Sequence, residues 1–461
     1  MSTPDARFAG VSFWLETAGD DLTPRPPLRG DATADVGILG AGFTGLWTAY
    51  YLLRRDPSLR IVILDREIAG FGASGRNGGW CSAGFALSPG TLSERVGREA
   101  ARAMFCALFE AVDEVGAVLE RESIAADFVK SGSLRVALGS HHLPALHELL
   151  DGYRALGLAD RLEWLERDRL AGRIRIESAA AAVSSPDAAA LHPGKLVRGL
   201  ARVLEARGVV IHEQTEVTDY EPGRLITRDG NLDAETVVLA GESYLSGLRS
   251  LHRQLVPVYS LITLTEPLTE EQWERIGWHA RECVASCRLS VDYLQRTADG
   301  RILFGGRGAP YRLGSRIRDA YDRHGPTHEL LRGLARRWFP ALRGTSFTHA
   351  WGGPLGVTRD WMPSVGFDAR RGLAWAYGYA GQGVSTANLA GRTLADLVTG
   401  ARSGLTELPI TGHHPRNWEP EPLRWLGVRW VQSGYRRLDD RAERTGVSPS
   451  GSSVAERLGR H

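Results

Sequence analysis

The segment "ADVGILGAGFTGLWTAYYLLRRDPSLRIVILDRE", Ala34 to Glu67, constrains the fold more than any other part of the chain. "VGIL" is a short apolar run of the kind expected of a strand buried on both faces. Gly40, Gly42 and Gly45 follow in G-x-G-x-x-G spacing. Leu46, Ala49, Tyr50 and Leu53 then recur at helical period, and "RIVILD" reads as a second buried strand ending in Asp65. Strand, glycine turn, helix and strand form a dinucleotide-binding unit in which each part has a physical task. Gly40 makes the tight turn, Gly42 lets backbone approach a pyrophosphate, and Gly45 lets helix and strand pack closely. The helix N-terminus offers unpaired N–H groups and the positive end of its dipole to phosphate. Asp65, 20 positions after Gly45, can accept hydrogen bonds from ribose hydroxyls and would repel a 2′-phosphate.

Two further glycine clusters bear on which dinucleotide is bound. "GASGRNGGW" begins at Gly72, just after the second strand, and carries four glycines in its first eight residues. That is a large conformational-entropy cost for a simple turn. A nicotinamide dinucleotide gives no reason for it, whereas the ribityl and ring portions of FAD must lie against backbone. Ser74 supplies a hydroxyl, and Arg76 and Asn77 supply donors for a pyrophosphate or for the polar edge of a flavin. Far downstream, "LAWAY" reads as a strand, followed by Gly378, Gly381 and Gly383 and then a helix through Leu389, Leu394 and Leu397. Its N-terminus would favour negative charge on a reduced flavin.

The rest of the composition excludes more than it assigns. A length of 461 residues suggests two or three domains. A formal net charge of +2 gives no case for nucleic-acid binding. Cys81, Cys106, Cys283 and Cys287 form no C-x-x-C pair and no disulfide framework. Cys283 and Cys287 would share a face if helical, but no histidine or third cysteine completes a metal site. The first residues contain no basic segment followed by an apolar run, and no uncharged apolar stretch is long enough to span a bilayer. The expected location is the cytoplasm.

The motifs "GILGAGFTGLWTAYYL", "GFGASGRNGG", "ALHPGKLVRGLARVLEARGVVIHEQTEV", "TVVLAGESY", "WGGPLGVTRDWMPSVG" and "GYAGQGV" together resemble the FAD-dependent amine and amino-acid oxidoreductase superfamily. That superfamily includes D-amino-acid oxidase, sarcosine oxidase and glycine oxidase. The similarity is greatest to its γ-glutamylputrescine-oxidase-like and aminophosphonate-oxidoreductase-like branches. The resemblance implies an α/β fold in which a Rossmann-like FAD domain is interleaved with a mixed-sheet substrate domain. The FAD domain is expected over residues 30–90, 190–250 and 345–400, and the substrate domain over 91–189 and 251–344. A C-terminal helical extension over 401–446 is expected to dock on the FAD domain, followed by an unstructured tail at 447–461.

FAD is expected at Gly40, Ala41, Gly42, Phe43, Thr44 and Gly45 of the first turn, and at Asp65 and Arg66 closing the second strand. The second turn contributes Gly72, Ala73, Ser74, Arg76, Asn77, Gly78, Gly79 and Trp80. Val217 sits where the family passes a backbone amide to adenine, and Ala240 and Gly241 follow a further strand. The third turn contributes Gly378, Gly381, Gln382, Gly383 and Val384, with Gln382 standing where relatives often carry histidine. The cofactor is expected to be noncovalent, because the segment before "VTRDWMPSVG" lacks the cysteine that anchors it in the sarcosine-oxidase branch. Cys81 is the thiol expected nearest the ring.

The implied reaction is oxidation of a C–N bond in a small primary or secondary amine or amino acid, by hydride transfer to flavin N5. Aminophosphonates and polyamine derivatives fall within the same class. The imine product hydrolyses, O2 is a candidate electron acceptor, and oligomeric state is left open. Such a step needs substrate positioning and a dry site more than acid–base machinery. Arg307, Trp351 and Tyr259 are the candidate positioning residues, and Asp360 is a candidate support beneath the flavin. His192 is expected to cap or pack. An NAD(P)H-dependent flavin monooxygenase and a noncatalytic FAD-binding subunit remain as alternatives.

Overall fold

The computed structural model describes residues 6–307, 309–449 and 453–455. Two eight-stranded sheets dominate it. In the first, strands Ser364–Asp368, Leu373–Tyr377, Asn231–Leu239, Ala32–Leu39, Ile61–Leu64 and Val210–His212 lie in that spatial order. From Leu373–Tyr377 to Val210–His212 the pairing is parallel throughout. All four residues of Ile61–Leu64 are buried, as a central parallel strand covered on both faces requires. Strands Val217–Glu221 and Arg224–Thr227 pair with each other, and the second pairs with Asn231–Leu239 across the Asp229–Gly230 turn.

Helix Phe43–Arg55 covers this sheet and is buried over most of its length. Gly45 is required there, since a Cβ at that position would sit 2.0 Å from the carbonyl oxygen of Gly40. Gly40 itself has φ +104, and a Cβ on it would come 2.8 Å from the Ala240 carbonyl oxygen. Helix Gly383–Thr399 crosses the same helix at Gly391, where a Cβ would meet Trp47 at 2.7 Å. Helix Pro193–Glu205 is capped by His192, whose Nδ1 accepts from Lys195 N at 3.1 Å.

The second sheet runs Phe347–Val357, Val256–Thr265, Ile302–Arg307, Asp292–Arg296, Cys283–Ser286, Ser133–Leu138, Ala179–Ser185 and Glu163–Glu166. Phe347–Val357 pairs along its length with Val256–Thr265, although its sequence position falls in the third segment expected of the FAD domain. One face of this sheet packs Tyr259, Leu294 and Phe304 against Leu331, Leu334 and Trp338 of helix Gly325–Trp338. The other face looks toward the first sheet. Cys283 begins a strand and Cys287 follows it, so the two do not share a helical face, and all four thiols are unpaired.

The C-terminal helix, Leu423–Thr445, corrects one expectation. It anchors on the second sheet's side rather than on the FAD domain. Asp439 accepts from the amides of Leu289 and Ser290, both at 2.9 Å, and Glu443 pairs with Arg288. Two half-buried amides in the turn between strands Cys283–Ser286 and Asp292–Arg296 provide a more specific carboxylate site than the general charge balance of the helix. The tail expected at 447–461 lies largely outside the described residues.

The contact at Gly45 gives a direct test. Gly45→Ala is expected to lower the free energy of unfolding by about 1–3 kcal/mol, read as a lower urea midpoint.

Candidate functional site: a dinucleotide cradle and an adjoining chamber

The three glycine turns meet around one cavity of about 360 Å3. Gly40 and Gly42, Gly72 and Ala73, and Gly381 and Gly383 all line it. Helices Phe43–Arg55 and Gly383–Thr399 both present their N-termini to it, and neither has a side-chain cap. Apart from Phe43 N, which Ser74 takes up, their first-turn N–H groups and their dipoles make that part of the cavity a site for anionic oxygen. Ser74 braces the first turn by accepting from Phe43 N at 2.8 Å. Thr44 faces the cavity too, its hydroxyl 2.9 Å from that of Tyr379 at the third turn.

Asp65 lies at the cavity wall, where its Oδ2 accepts from Ala41 N and its Oδ1 from Glu67 N, each at 2.8 Å. Burial pushes its carboxyl up to about 6, against the lowering effect of those two amides. Arg66 stacks over Tyr244 at 5.1 Å. Val217, with Leu64, Leu245 and Leu248, gives this end an apolar wall, and Ala240 and Gly241 complete it. Anion-binding helix ends, a carboxylate and an apolar slot in one continuous cleft match the phosphates, ribose and base of FAD. The residues therefore fit the group the sequence implies.

Several expected contacts resolve differently. Ala41 and Gly45 support the first turn rather than lining the cavity, as does Gly378 at the third. Arg76 is held largely by protein: its Nε donates to the Phe71 carbonyl at 2.6 Å, its guanidinium lies 4.2 Å over the Phe71 ring, and it pairs with Asp322, while its Nη2 is buried without a hydrogen-bond partner and the residue lines the adjoining chamber. Burial pushes the Asp322 carboxyl up to about 7, with Arg76 opposing. Asn77 spends its amide within the loop, donating to the Ala73 and Ser74 carbonyls and accepting from Gly79 N. Gly78 is needed because a Cβ there would lie 2.4 Å from the Tyr293 ring. Much of the glycine content of this loop thus serves its passage between the two sheets.

The loop is buttressed from behind. Trp351 donates from its indole to the Arg76 carbonyl at 2.9 Å, and Trp14 donates to the Asn77 carbonyl at 2.7 Å. Trp351 is 1% exposed and lines neither cavity. Tyr259 faces the helix-covered side of its strand and bonds to Arg318 N at 3.1 Å, while its neighbour Ser260 faces the first sheet. Strand alternation therefore removes Tyr259 from the site. Arg307 closes strand Ile302–Arg307, and its side chain lies outside the described part. Asp360 fixes a turn away from the cavities, accepting from Met362 N at 3.2 Å and bonding His413 at 2.8 Å.

Glu242 is the residue that sequence reasoning missed. Its carboxylate accepts from Gly356 N at 2.7 Å, Gly378 N at 3.2 Å and Tyr379 N at 3.3 Å, and it lines the cavity. Burial pushes its carboxyl up, and the amides oppose that shift. An acid directly after the buried strand "TVVLAG" is the one signal for it in the sequence.

A smaller chamber of about 120 Å3 adjoins the cradle and shares Ala73, Asn77, Leu355, Gly381 and Val384 with it. Its wall is the inward face of the second sheet, with Ser260 and Tyr293 hydroxyls 2.9 Å apart. Trp80, Gln382 and Arg135 complete it, together with the backbone of the glycine loop. Cys81 lies between Trp80 and Ser82, which face the chamber, and is itself fully buried; burial pushes its thiol up. Among the described residues no cysteine or histidine lines either cavity, and no cluster of metal-ligating side chains occurs.

A protein built this way, with a split glycine-rich cradle opening onto a sheet-walled chamber, is an FAD-dependent oxidoreductase. Residues 35–397 match the family described as DAO, FAD dependent oxidoreductase, and the chain belongs to it. It is 28% identical over 411 residues to γ-glutamylputrescine oxidoreductase of Escherichia coli, covering 88% of this chain and 93% of that protein. It is likewise 28% identical over 404 residues to the probable oxidoreductase OrdL of Haemophilus influenzae, covering 84% and 88%. Among solved structures it is similar to glycine oxidase from Geobacillus kaustophilus, with a TM-score of 0.69, 21% identity and coverage of 83% of this chain and 100% of that one. No helix among the described residues is long and apolar enough to cross a membrane.

The buried acids have three measurable consequences. Glu242→Ala leaves three amides without their acceptor and is expected to cost about 3 kcal/mol and to weaken FAD retention, read by thermal melting and by flavin released on dilution. An ionised Asp65 accepts ribose hydroxyls best, so the Kd for FAD should fall as pH rises through about 6 and flatten in Asp65→Asn, measured by flavin fluorescence quenching. The same raised carboxyl gives the opposite sign for the protein without FAD: its stabilising contribution is complete below the unfolded value of 3.8 and is lost as pH rises through about 6.

Proposed function

We propose that the protein oxidises a C–N bond of a small amine or amino acid, using noncovalently held FAD. The observation that carries this reading is the chamber: it opens directly from the cradle and is walled by Trp80, Tyr293 and Ser260. FAD, when bound, supplies the two-electron acceptor. The chain's residues then have positioning roles. Tyr293 and Trp80, 6.2 Å apart and edge-on, present aromatic surface that excludes water. The Ser260–Tyr293 hydroxyl pair offers an acceptor to the substrate nitrogen and holds its N–H, so that the neutral amine's C–H bond can be oriented. The N-terminus of helix Gly383–Thr399 favours the negative charge that reduction brings to the site. γ-Glutamylputrescine oxidoreductase and glycine oxidase, to which the chain is similar, have amine substrates by name, which supports the substrate class. Noncovalent retention is supported by the absence of a thiol or imidazole among the described lining residues. Unpaired cysteines agree with a cytoplasmic location, and O2 is our proposed electron acceptor.

The test is anaerobic. Purified holoprotein should lose the oxidised flavin absorption band on mixing with an amine or amino acid, and should release peroxide when air is readmitted. Denaturation should leave intact FAD in solution. Bleaching by NADPH with no amine response would overturn the reading.

A further inference from the structure

The inward face of the second sheet carries an arginine that the cradle does not use. Arg135 lies on Ser133–Leu138, between Leu134 and Val136, both of which pack into the helix-covered core behind the sheet. Alternation therefore turns Arg135 to the chamber side. It sits in parallel register with Ala285, and both line the chamber. The chamber's other cation, Arg76, is neutralised by Asp322. Arg135 has no carboxylate partner among the described residues; its Nη1 donates to the Ser286 carbonyl at 2.9 Å. A guanidinium has five donors, so most of its capacity is unspent.

Asp292 is the only acid lining the chamber among the described residues, and its side chain points away. It shares strand parity with Leu294 of the rear core, and its Oδ1 accepts from Ser286 N at 3.0 Å and Ser286 Oγ at 2.6 Å. Burial pushes the Asp292 carboxyl up, with Ser286, Arg288 and Arg135 opposing, but no described acid closes an ion pair on Arg135, so its guanidinium stays open to an anion in the chamber. The sheet order runs from Leu355, at the junction with the cradle, through Ser260 and Tyr293 to Ala285 and then Arg135. Arg135 is thus at the far, exposed end, two strands or about 10 Å beyond Tyr293.

We infer that Arg135 recognises an anionic group at the distal end of the substrate, so the preferred substrates are amines carrying a carboxylate several bonds from the reacting C–N bond. The inference rests on the amine-oxidation reading above. An α-amino acid could not use Arg135 in this way, because its carboxylate is attached to the reacting carbon. Charge-assisted pairing of this kind discriminates by about 10- to 100-fold.

The experiment compares 6-aminohexanoate with n-hexylamine as reductants of the anaerobic holoprotein. The carboxylate should raise kcat/KM by about 10- to 100-fold. Arg135→Gln should collapse that ratio toward unity, and Arg135→Lys should restore part of it. Equal rates in the unaltered protein, or a ratio that survives Arg135→Gln, would overturn the assignment. If neither amine reduces the flavin, the functional reading fails, and binding still decides the role of Arg135. Hexanoate binding to the oxidised holoprotein, followed by calorimetry, should weaken about 10- to 100-fold in Arg135→Gln; no binding, or equal binding, refutes it.

Discussion

One buried carboxylate joins the parts of this molecule that must act together. Glu242 follows the central strand Asn231–Leu239 and accepts from Gly356 in the second sheet and from Gly378 and Tyr379 in the third glycine turn. These three amides belong to two parts of the molecule: Gly356 to the sheet that walls the chamber, and Gly378 and Tyr379 to the turn leading into the helix end that faces the cradle. Without a common acceptor they would be buried donors lacking partners, which is costly. The cradle and the chamber keep their relation because a single side chain satisfies both.

The first sheet was largely legible from the chain itself. Its strands are short apolar runs, and Gly40, Gly42, Gly45 and Asp65 each sit where local geometry leaves little choice. The convergence of the three glycine turns on one cleft could also be anticipated, since each follows a buried strand or opens a helix. What could not be read was the direction of individual side chains in the second sheet. Tyr259 and Ser260 are neighbours, yet one is core and the other faces the site. That parity depends on register with Phe347–Val357 and Ile302–Arg307, which is set by distant segments.

The same limit explains the "GASGRNGG" loop. Its residues suggested a ligand-binding loop, and Gly72, Ala73 and Ser74 do line the cradle. Asn77 lines both the cradle and the chamber while its amide bonds to the loop's own backbone, Arg76 lines the chamber while paired with Asp322, and Gly78 yields to Tyr293 of the second sheet. Polar side chains in a glycine-rich loop have two possible clients, ligand and backbone, and sequence pattern does not separate them. Asp322, the partner that occupies Arg76, lies 246 residues away.

Consecutive carbonyls of that loop, at Arg76 and Asn77, are held by the indoles of Trp351 and Trp14, which themselves meet edge to face at 6.2 Å. The arrangement ties two buried tryptophans to the strip of backbone between the sheets. Tryptophan emission overlaps the absorption of an oxidised flavin, so occupancy of the cleft is readable as quenching of the chain's 13 tryptophans taken together, without a label and without turnover.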